Sequence, residues 1–394
     1  MKMSSENKKN ILIFSLVYYP NFVGGAEVAV KEITDRIGKD EASFFMVTMR
    51  TDRKRVEQIG NITVHRVGPY LLGIPVVGKV FFQISKYLFP FQSYMKAKRL
   101  QKQIGFDSAW AIMANYAGFG ALFFKQKYPQ IRFILTLQEG DPISYIKRRV
   151  ALVYPLWKSI FTRADTIQAI STYLADFGKS MEFRGTPVVI PNAVDVGNFV
   201  KDFDNSELAK LKSDLGTKDD QKVIVTTSRL VKKNGVGDII ESLKYLPENF
   251  IFLVLGNGPL ENDLKLKADS LHLKARVVFL GYVPHSEMPK YLKISDVFVR
   301  PSLSEGLGNS FLEAMAISLP VVATSVGGIP DFLKDGETGY FCEVENPKSI
   351  AEAIMRFENN PEQKNRIIEN AKKMVIEKYD WNLIAGSMKE ILIK

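Results

Sequence analysis

The sequence predicts an α/β protein made of two Rossmann-like, doubly wound domains that face each other across a cleft. Three observations carry this expectation. Short apolar runs alternate with amphipathic stretches through both halves of the 394 residues, the pattern of strands joined by helical crossovers. Many runs are continuously apolar rather than alternating, as in parallel strands covered on both faces. The pattern stops in the polar stretch Lys201–Gln221 and then restarts, and at about 150 residues per domain the length holds two such units.

The first strand is expected at Ile11–Val17. Lys8 and Lys9 before it mimic a signal peptide, but the run ends at Pro20 and no small-residue cleavage site follows. Ala26, Val30, Ile33 and Ile37 then fall on one helical stripe. Further strands are expected at Phe44–Val47, Ile62–Val67, Ala109–Met113, Phe133–Leu137, Thr166–Ile170 and Val188–Ile190. The uncharged stretch Ser108–Phe124 is interrupted by Asn115, Gly118 and Gly120. It reads as a strand, a turn and a helix start rather than a membrane span. The second series is Lys222–Thr227, Phe250–Leu255, Arg276–Leu280, Asp296–Val299 and Pro320–Ala323. The expected organisation is a first domain over residues 1–195, a linker over 196–221, a second domain over 222–375 and a closing segment over 376–394. Asp202-Phe203-Asp204 offers an acidic pair of metal-binding appearance, but it falls in the linker and is read as linker.

Composition narrows the function classes. One cysteine, Cys342, excludes an internal disulfide framework and cysteine-based zinc sites. His65, His272 and His285 lie far apart in sequence and form no local metal motif. The net charge of +10 is uneven: residues 1–200 hold 27 Lys and Arg against 15 Asp and Glu, and the rest hold 26 against 28. A basic half attracts phosphates on nucleotides or anionic lipids, or is simply a solvated face. No interleaved stacking motif supports nucleic-acid binding, and none is expected.

Ligands of open α/β sheets sit at the carboxyl ends of strands, so the loops there matter most. Gly24-Gly25 opens a helix after the first strand, where backbone N–H groups and the helix dipole suit an anion. A plain tight turn is the alternative. The dinucleotide fingerprint G-x-G-x-x-G is absent here, which argues against a nicotinamide enzyme. After Val223–Thr227 come Arg229, Lys232 and Lys233, cations suited to a pyrophosphate. Arg300–Met315 brackets Gly306 and Gly308 between Glu305 and Glu313. Both glycines would free backbone N–H groups toward a ligand. Ser310-x-x-Glu313 also reads as a capping box, a purely structural use of the second glutamate.

The Glu305–Glu313 segment, with Gly24-Gly25, Ser228-Arg229-Leu230, Gly256-Asn257-Gly258-Pro259 and Val326-Gly327-Gly328, resembles the family-4 retaining glycosyltransferases of GT-B fold. The likeness covers nearly the whole chain, in order. Lys378-Tyr379-Asp380-Trp381 resembles the start of that family's closing helix, which crosses back to the first domain. The resemblance implies a nucleotide-sugar donor, UDP- or GDP-linked, held mainly by the second domain, and an acceptor held by the first. It implies that Arg229 neutralises the diphosphate and that Glu313 bonds the ribose hydroxyls. Glu305 and the N–H groups of Gly306, Leu307, Gly308, Asn309 and Ser310 would meet the sugar and phosphate. The backbone at Tyr282 and Val283 would hold the base, and Gly24 and Gly25 would approach the diphosphate. Two positions depart from the family pattern. Gln138 stands where a histidine is common, and Asn234 where a lysine is, with Lys233 one residue earlier as the substitute.

The expectation is therefore a retaining, metal-independent hexosyltransferase that needs no cofactor. Its acceptor is a glycan or lipid-linked molecule of cell-envelope polysaccharide or glycolipid synthesis. Catalysis would fall to Arg229, Lys233, Glu305 and Gln138. A sugar-nucleotide epimerase and a catalytically weak nucleotide-sugar-binding protein are the alternatives. A cytoplasmic location with reversible contact to an anionic membrane is expected from the segment Gly78–Phe89. Val80, Ile84 and Tyr87-Leu88 there share a helical stripe beside Lys79 and Lys86, and Lys96, Lys98 and Arg99 follow. A helix packed on the core with solvated lysines is the competing reading.

Overall fold

The apolar runs become strands, and their crossovers set two separate sheets. The computed structural model describes residues 8–51, 53–70, 75–218 and 220–394, with no side-chain description for 75–81. Two compact units result: one reaches Asn192 and also takes in Trp381–Lys394, and the other is Ala193–Asp380.

In the first unit the strands are β1 (Lys9–Phe14), β2 (Ala42–Met49), β3 (Val56–Ile59), β4 (Ile62–Val67), β5 (Ser108–Ile112), β6 (Arg132–Leu137), β7 (Thr166–Ala169) and β8 (Val188–Val189). Their order in the sheet is β3-β4-β2-β1-β5-β6-β7-β8. All neighbours are parallel except β3, which pairs antiparallel with β4. β3 was not expected from sequence: Val56-Glu57-Gln58-Ile59 is a polar edge strand with Val56 exposed. By contrast β5 is buried at every position, as a central parallel strand must be.

In the second unit the strands are β9 (Lys222–Thr227), β10 (Phe250–Leu255), β11 (Val277–Gly281), β12 (Val297–Arg300), β13 (Val321–Thr324) and β14 (Tyr340–Cys342). They are all parallel, in the order β11-β10-β9-β12-β13-β14. β14, three residues long, carries too little pattern to be read from sequence. The core packs Ile224, Phe252, Val254, Val299 and Val322 from the strands against Ile240, Ile350 and Phe357 from the helices.

Two stretches differ from the sequence reading, and the closing helix falls where it was expected. Residues 196–221 carry two helices, Val196–Val200 and Asn205–Asp214, and lie within the second unit. Asp204, half of the acidic pair, is the cap of the second of these helices and accepts from the Ser206 N–H at 2.7 Å. The helix Pro75–Ile104 runs past Pro90. Its face of Ser85, Phe89, Ser93, Ala97 and Leu100 is buried, and that packing outweighs the one N–H that proline removes. The closing helix Trp381–Ile393 belongs to the first unit, where Trp381, Met388 and Leu392 are buried. Arg132 donates to the Ile391 carbonyl at 2.6 Å, and Lys389 pairs with Glu41. No helix among the described residues is long and apolar enough to cross a membrane.

Candidate active site

Each sheet reverses its winding once, between β1 and β5 and between β9 and β12, and ligands of such sheets bind at these switch points. Gly24-Gly25, Arg229 and the Glu305–Ser310 segment lie in the connections that leave β1, β9 and β12.

In the second unit, Thr227 ends β9 and Arg229 follows. Its side chain is exposed and has no partner among the described residues. The backbone beneath it is fixed. Asn234 is buried and donates from Nδ2 to the Arg229 carbonyl at 2.6 Å. The residue at the family's lysine position thus holds the arginine loop in shape rather than facing a ligand. The Leu230 N–H donates to the Asn257 carbonyl, and the Leu303 N–H to that of Lys233, which ties the β9 loop to the β12 loop. A Cβ on Gly258 would come within 2.4 Å of the Leu230 backbone, and one on Gly256 within 2.0 Å of the Ser228 carbonyl. The Gly-Asn-Gly-Pro segment is therefore a spacer that lets two loops nest.

The β12 loop is organised by a residue the sequence reading passed over. Arg300 is buried at the end of β12. Its guanidinium donates to Glu305 Oε2 at 2.7 Å and to Ser310 Oγ at 2.6 Å, and lies 4.2 Å from the centre of the Phe311 ring. Burial lowers its pKa, against the opposing pull of Glu305 and Glu313. Glu305 is consequently a neutralised loop anchor, its other oxygen 3.1 Å from the Gly306 N–H. That N–H, expected to face a ligand, is already occupied. Gly327, at φ +56°, approaches so closely that a Cβ would sit 1.8 Å from the Glu305 carbonyl.

Glu313 and Ser310 form no capping box. The helix Asn309–Ala316 is capped by Gly308 at φ +95° without a side-chain bond. Ser310 serves Arg300 instead, and Glu313 Oε1 lies 3.0 Å from His285 Nε2. Leu307 is buried and Asn309 opens the helix. Beyond β11, Tyr282 is exposed and Val283 is buried.

In the first unit, Gly24 caps the helix Gly25–Asp35, and its N–H donates to Glu27 Oε2 at 2.9 Å. Burial raises the pKa of Glu27. Gln138, past the end of β6, is buried and accepts from Asn192 Nδ2 at 3.3 Å. An amide there carries no charge near neutral pH. Its neighbour Glu139 escaped the sequence reading. Glu139 Oε1 accepts from the Ala114 N–H at 2.8 Å, and Trp157 holds the carbonyl of the same residue, so the acid pins the β5 loop. Oε2 is buried without a partner among the described residues, and burial pushes the carboxyl up to about 7.

Known proteins match along this whole frame. A family model for glycosyl transferases group 1 matches residues 208–374, and one for glycosyltransferase family 4 matches residues 23–198. An uncharacterised glycosyltransferase of Methanocaldococcus jannaschii is 26% identical over 382 residues, 93% of this chain and 94% of that protein. An alpha-monoglucosyldiacylglycerol synthase of Streptococcus pneumoniae is 26% identical over 356 residues, 87% of this chain and 78% of that one. Among solved structures, Anabaena HepE in complex with UDP and glucose has a TM-score of 0.77 at 19% identity, over 98% of this chain and 99% of that chain. Sucrose-phosphate synthase from Thermosynechococcus elongatus reaches 0.80 at 19% identity, over 97% and 98%. These two share the fold.

Two tests follow from the site. Arg300→Met leaves Glu305 an uncompensated, mostly buried carboxylate, and lowers unfolding free energy by about 3–5 kcal/mol. Adding Glu305→Gln to it recovers part of the loss, read by urea denaturation. The folded state holds the Glu139 proton that the unfolded chain releases from 4.5 upward, so this group's contribution to stability falls as pH rises from there to about 7. Glu139→Gln keeps the acceptor for Ala114 and cannot ionise. It melts near the wild type at pH 5 and is more stable at pH 8 by on the order of 1–3 kcal/mol.

Proposed function

The chain belongs to the family-4, group 1 glycosyltransferases of GT-B fold, and on that premise we propose that it moves a hexose from a UDP- or GDP-linked donor to a glycan or lipid-linked acceptor. The proposed transfer retains anomeric configuration and needs no metal. The observation that carries the donor reading is Arg229: a guanidinium with no partner among the described residues, at a sheet switch point, on a loop bonded to the β12 loop at Leu303.

The departing diphosphate is the charge to be stabilised. Arg229, with Lys233 on the same loop, meets it with fixed positive charge, and positioned donors of this kind lower the barrier most where charge develops. Glu313 receives the ribose hydroxyls. The resemblance to the family-4 retaining enzymes supports retention. Gln138 orients sugar hydroxyls without shuttling a proton. HepE was solved with UDP and glucose, which favours a UDP-linked donor.

The acceptor reading rests on the first unit's surface and on the glycolipid product named for the Streptococcus relative. Ile84, Tyr87, Leu88 and Phe91 are exposed beside Lys86 on the helix Pro75–Ile104. The side chains of Lys79 and Val80 lie outside the described residues. Tyr87 meets Tyr116 edge to face at 5.5 Å, and Arg149 acts on both Tyr116 and Lys86. This brings in a second patch that the sequence reading missed: Tyr145, Leu152 and Val153 exposed beside Lys147, Arg148 and Arg149. Apolar side chains among cations suit the cytoplasmic face of an anionic membrane, each cation contributing about 1 kcal/mol.

Three outcomes test the reading. Arg229→Ala weakens UDP or GDP binding about 10- to 100-fold by calorimetry with an unchanged melting point, as expected for a charge-assisted bond. Turnover of UDP- or GDP-hexose to product persists in excess EDTA; rescue by Mn²⁺ or Mg²⁺ alone would sink the metal-independent mechanism, and release of free nucleotide or an epimer without acceptor would favour hydrolysis or epimerisation. The protein sediments with anionic but not neutral liposomes at low salt, and Gln at Lys86, Lys147 and Arg148 together releases it. A wild type that stays in the supernatant points to a soluble acceptor.

A further inference from the structure

The reading of Glu313 as the ribose acceptor leaves one contact unexplained. His285 reaches Glu313 Oε1 from Nε2 at 3.0 Å, and the two come from different strand-end segments, the β11 loop and the helix that follows β12. The Glu313 side chain is 13% exposed and that of His285 is 55% exposed. Ion pairs with a half-exposed partner add little to stability, so fold maintenance is a poor reason for this bond. The imidazole is nonetheless built in. Its ring packs at 5.3 Å on Phe199, which is fully buried in the helix Val196–Val200. That helix is itself capped by Asp195. A buried aromatic therefore fixes the imidazole, and the imidazole fixes one carboxylate oxygen.

We propose that His285 is a positioning residue for nucleotide recognition: it holds the Glu313 carboxylate in one rotamer, so that the carboxylate accepts from the ribose hydroxyls without first being ordered. A free glutamate loses several torsions when it binds, and pre-ordering removes that cost from the affinity. The Nε2 atom must carry hydrogen to serve in this way, as it does in one neutral tautomer and in the cation. The consequence is selectivity. A site whose acceptor is fixed discriminates against a sugar lacking the hydroxyl more sharply than one whose acceptor swings free. His285 thereby sets the preference for ribonucleotide over deoxyribonucleotide. The inference rests on the assignment of Glu313 to the ribose, and the test separates the two.

Calorimetric titration of the full chain with UDP, 2′-deoxy-UDP, GDP and 2′-deoxy-GDP gives a ribose preference for each base. The wild type favours the ribonucleotide by about tenfold or more for the base it binds, the value of one charge-assisted hydrogen bond. Glu313→Ala brings the ratio close to one. His285→Phe keeps the ring on Phe199, removes the donor, and lowers the ratio at least about threefold at an unchanged melting point. His285→Gln, whose amide nitrogen stands in for Nε2, keeps most of the ratio. His285→Ala gives the same reading as Phe if the larger ring disturbs folding. A full ratio in His285→Phe and His285→Ala, with a collapsed one in Glu313→Ala, overturns the role of His285 and leaves the ribose assignment standing. A full ratio in Glu313→Ala overturns the assignment and the proposal together, as does a wild type that binds neither UDP nor GDP.

Discussion

The second unit's site depends on one buried cation. Arg300 ends β12 and gathers Glu305, Ser310 and the Phe311 ring around a guanidinium that solvent does not reach. A charge in that position needs partners, and those at Nη1 and Nη2 hold the loop between β12 and its helix, while the buried Nε has none among the described residues. Glu305 folds back onto Arg300, Ser310 turns toward it, and the helix Asn309–Ala316 begins where Gly308 permits. The orientation of Glu313, one helical turn on from Asn309, follows from that start.

Around this centre, glycines act as spacers. Gly235, Gly256, Gly258 and Gly327 each press against the backbone of another loop, and a Cβ at any of them would collide with it. Their value lies in close approach, which brings the β9, β10, β12 and β13 loops into contact. Two of the glycine N–H groups expected to face an anion are engaged by carboxylates. The Gly306 N–H is occupied by Glu305, and the Gly24 N–H by Glu27. In both units a carboxylate thus accepts from one of the glycine N–H groups expected to meet an anion.

The first unit carries a comparable constraint of its own. Glu139 and Trp157 grip the two ends of the Ala114 peptide, so the β5 loop is held at a switch point by an acid that burial keeps close to its neutral form. Gln138 beside it is tied to Asn192. The loops that follow β5 and β6 are thus rigid polar scaffolding, and the exposed cations and aromatic side chains of the same unit lie on helices outside it.

Much of this was legible without coordinates. The expected bounds of β4, β9 and β10 match the structure to the residue, and β10, apolar and buried at every position, shows the unbroken signature of a parallel strand covered on both faces. The fold and the family followed from the order of the motifs. The edge strands β3 and β14 were not legible, because a polar or three-residue strand has no periodicity to read. The helices in 196–221 were hidden by a composition that suits loops and solvated helices equally. Arg229 could be found because it follows a legible strand, in a cationic segment that resembles the family's. His285 and Glu139 could not, because each acts through a partner that sequence separation conceals, 28 positions away for His285 and 25 for Glu139; Arg300 has its partners close in sequence, at Glu305 and Ser310, but its burial is not legible there. The sequence determined which groups the strand-end loops carry. Only the tertiary structure decided which of those groups are spent on one another and which are left for a ligand, because burial and pairing belong to neighbours in space.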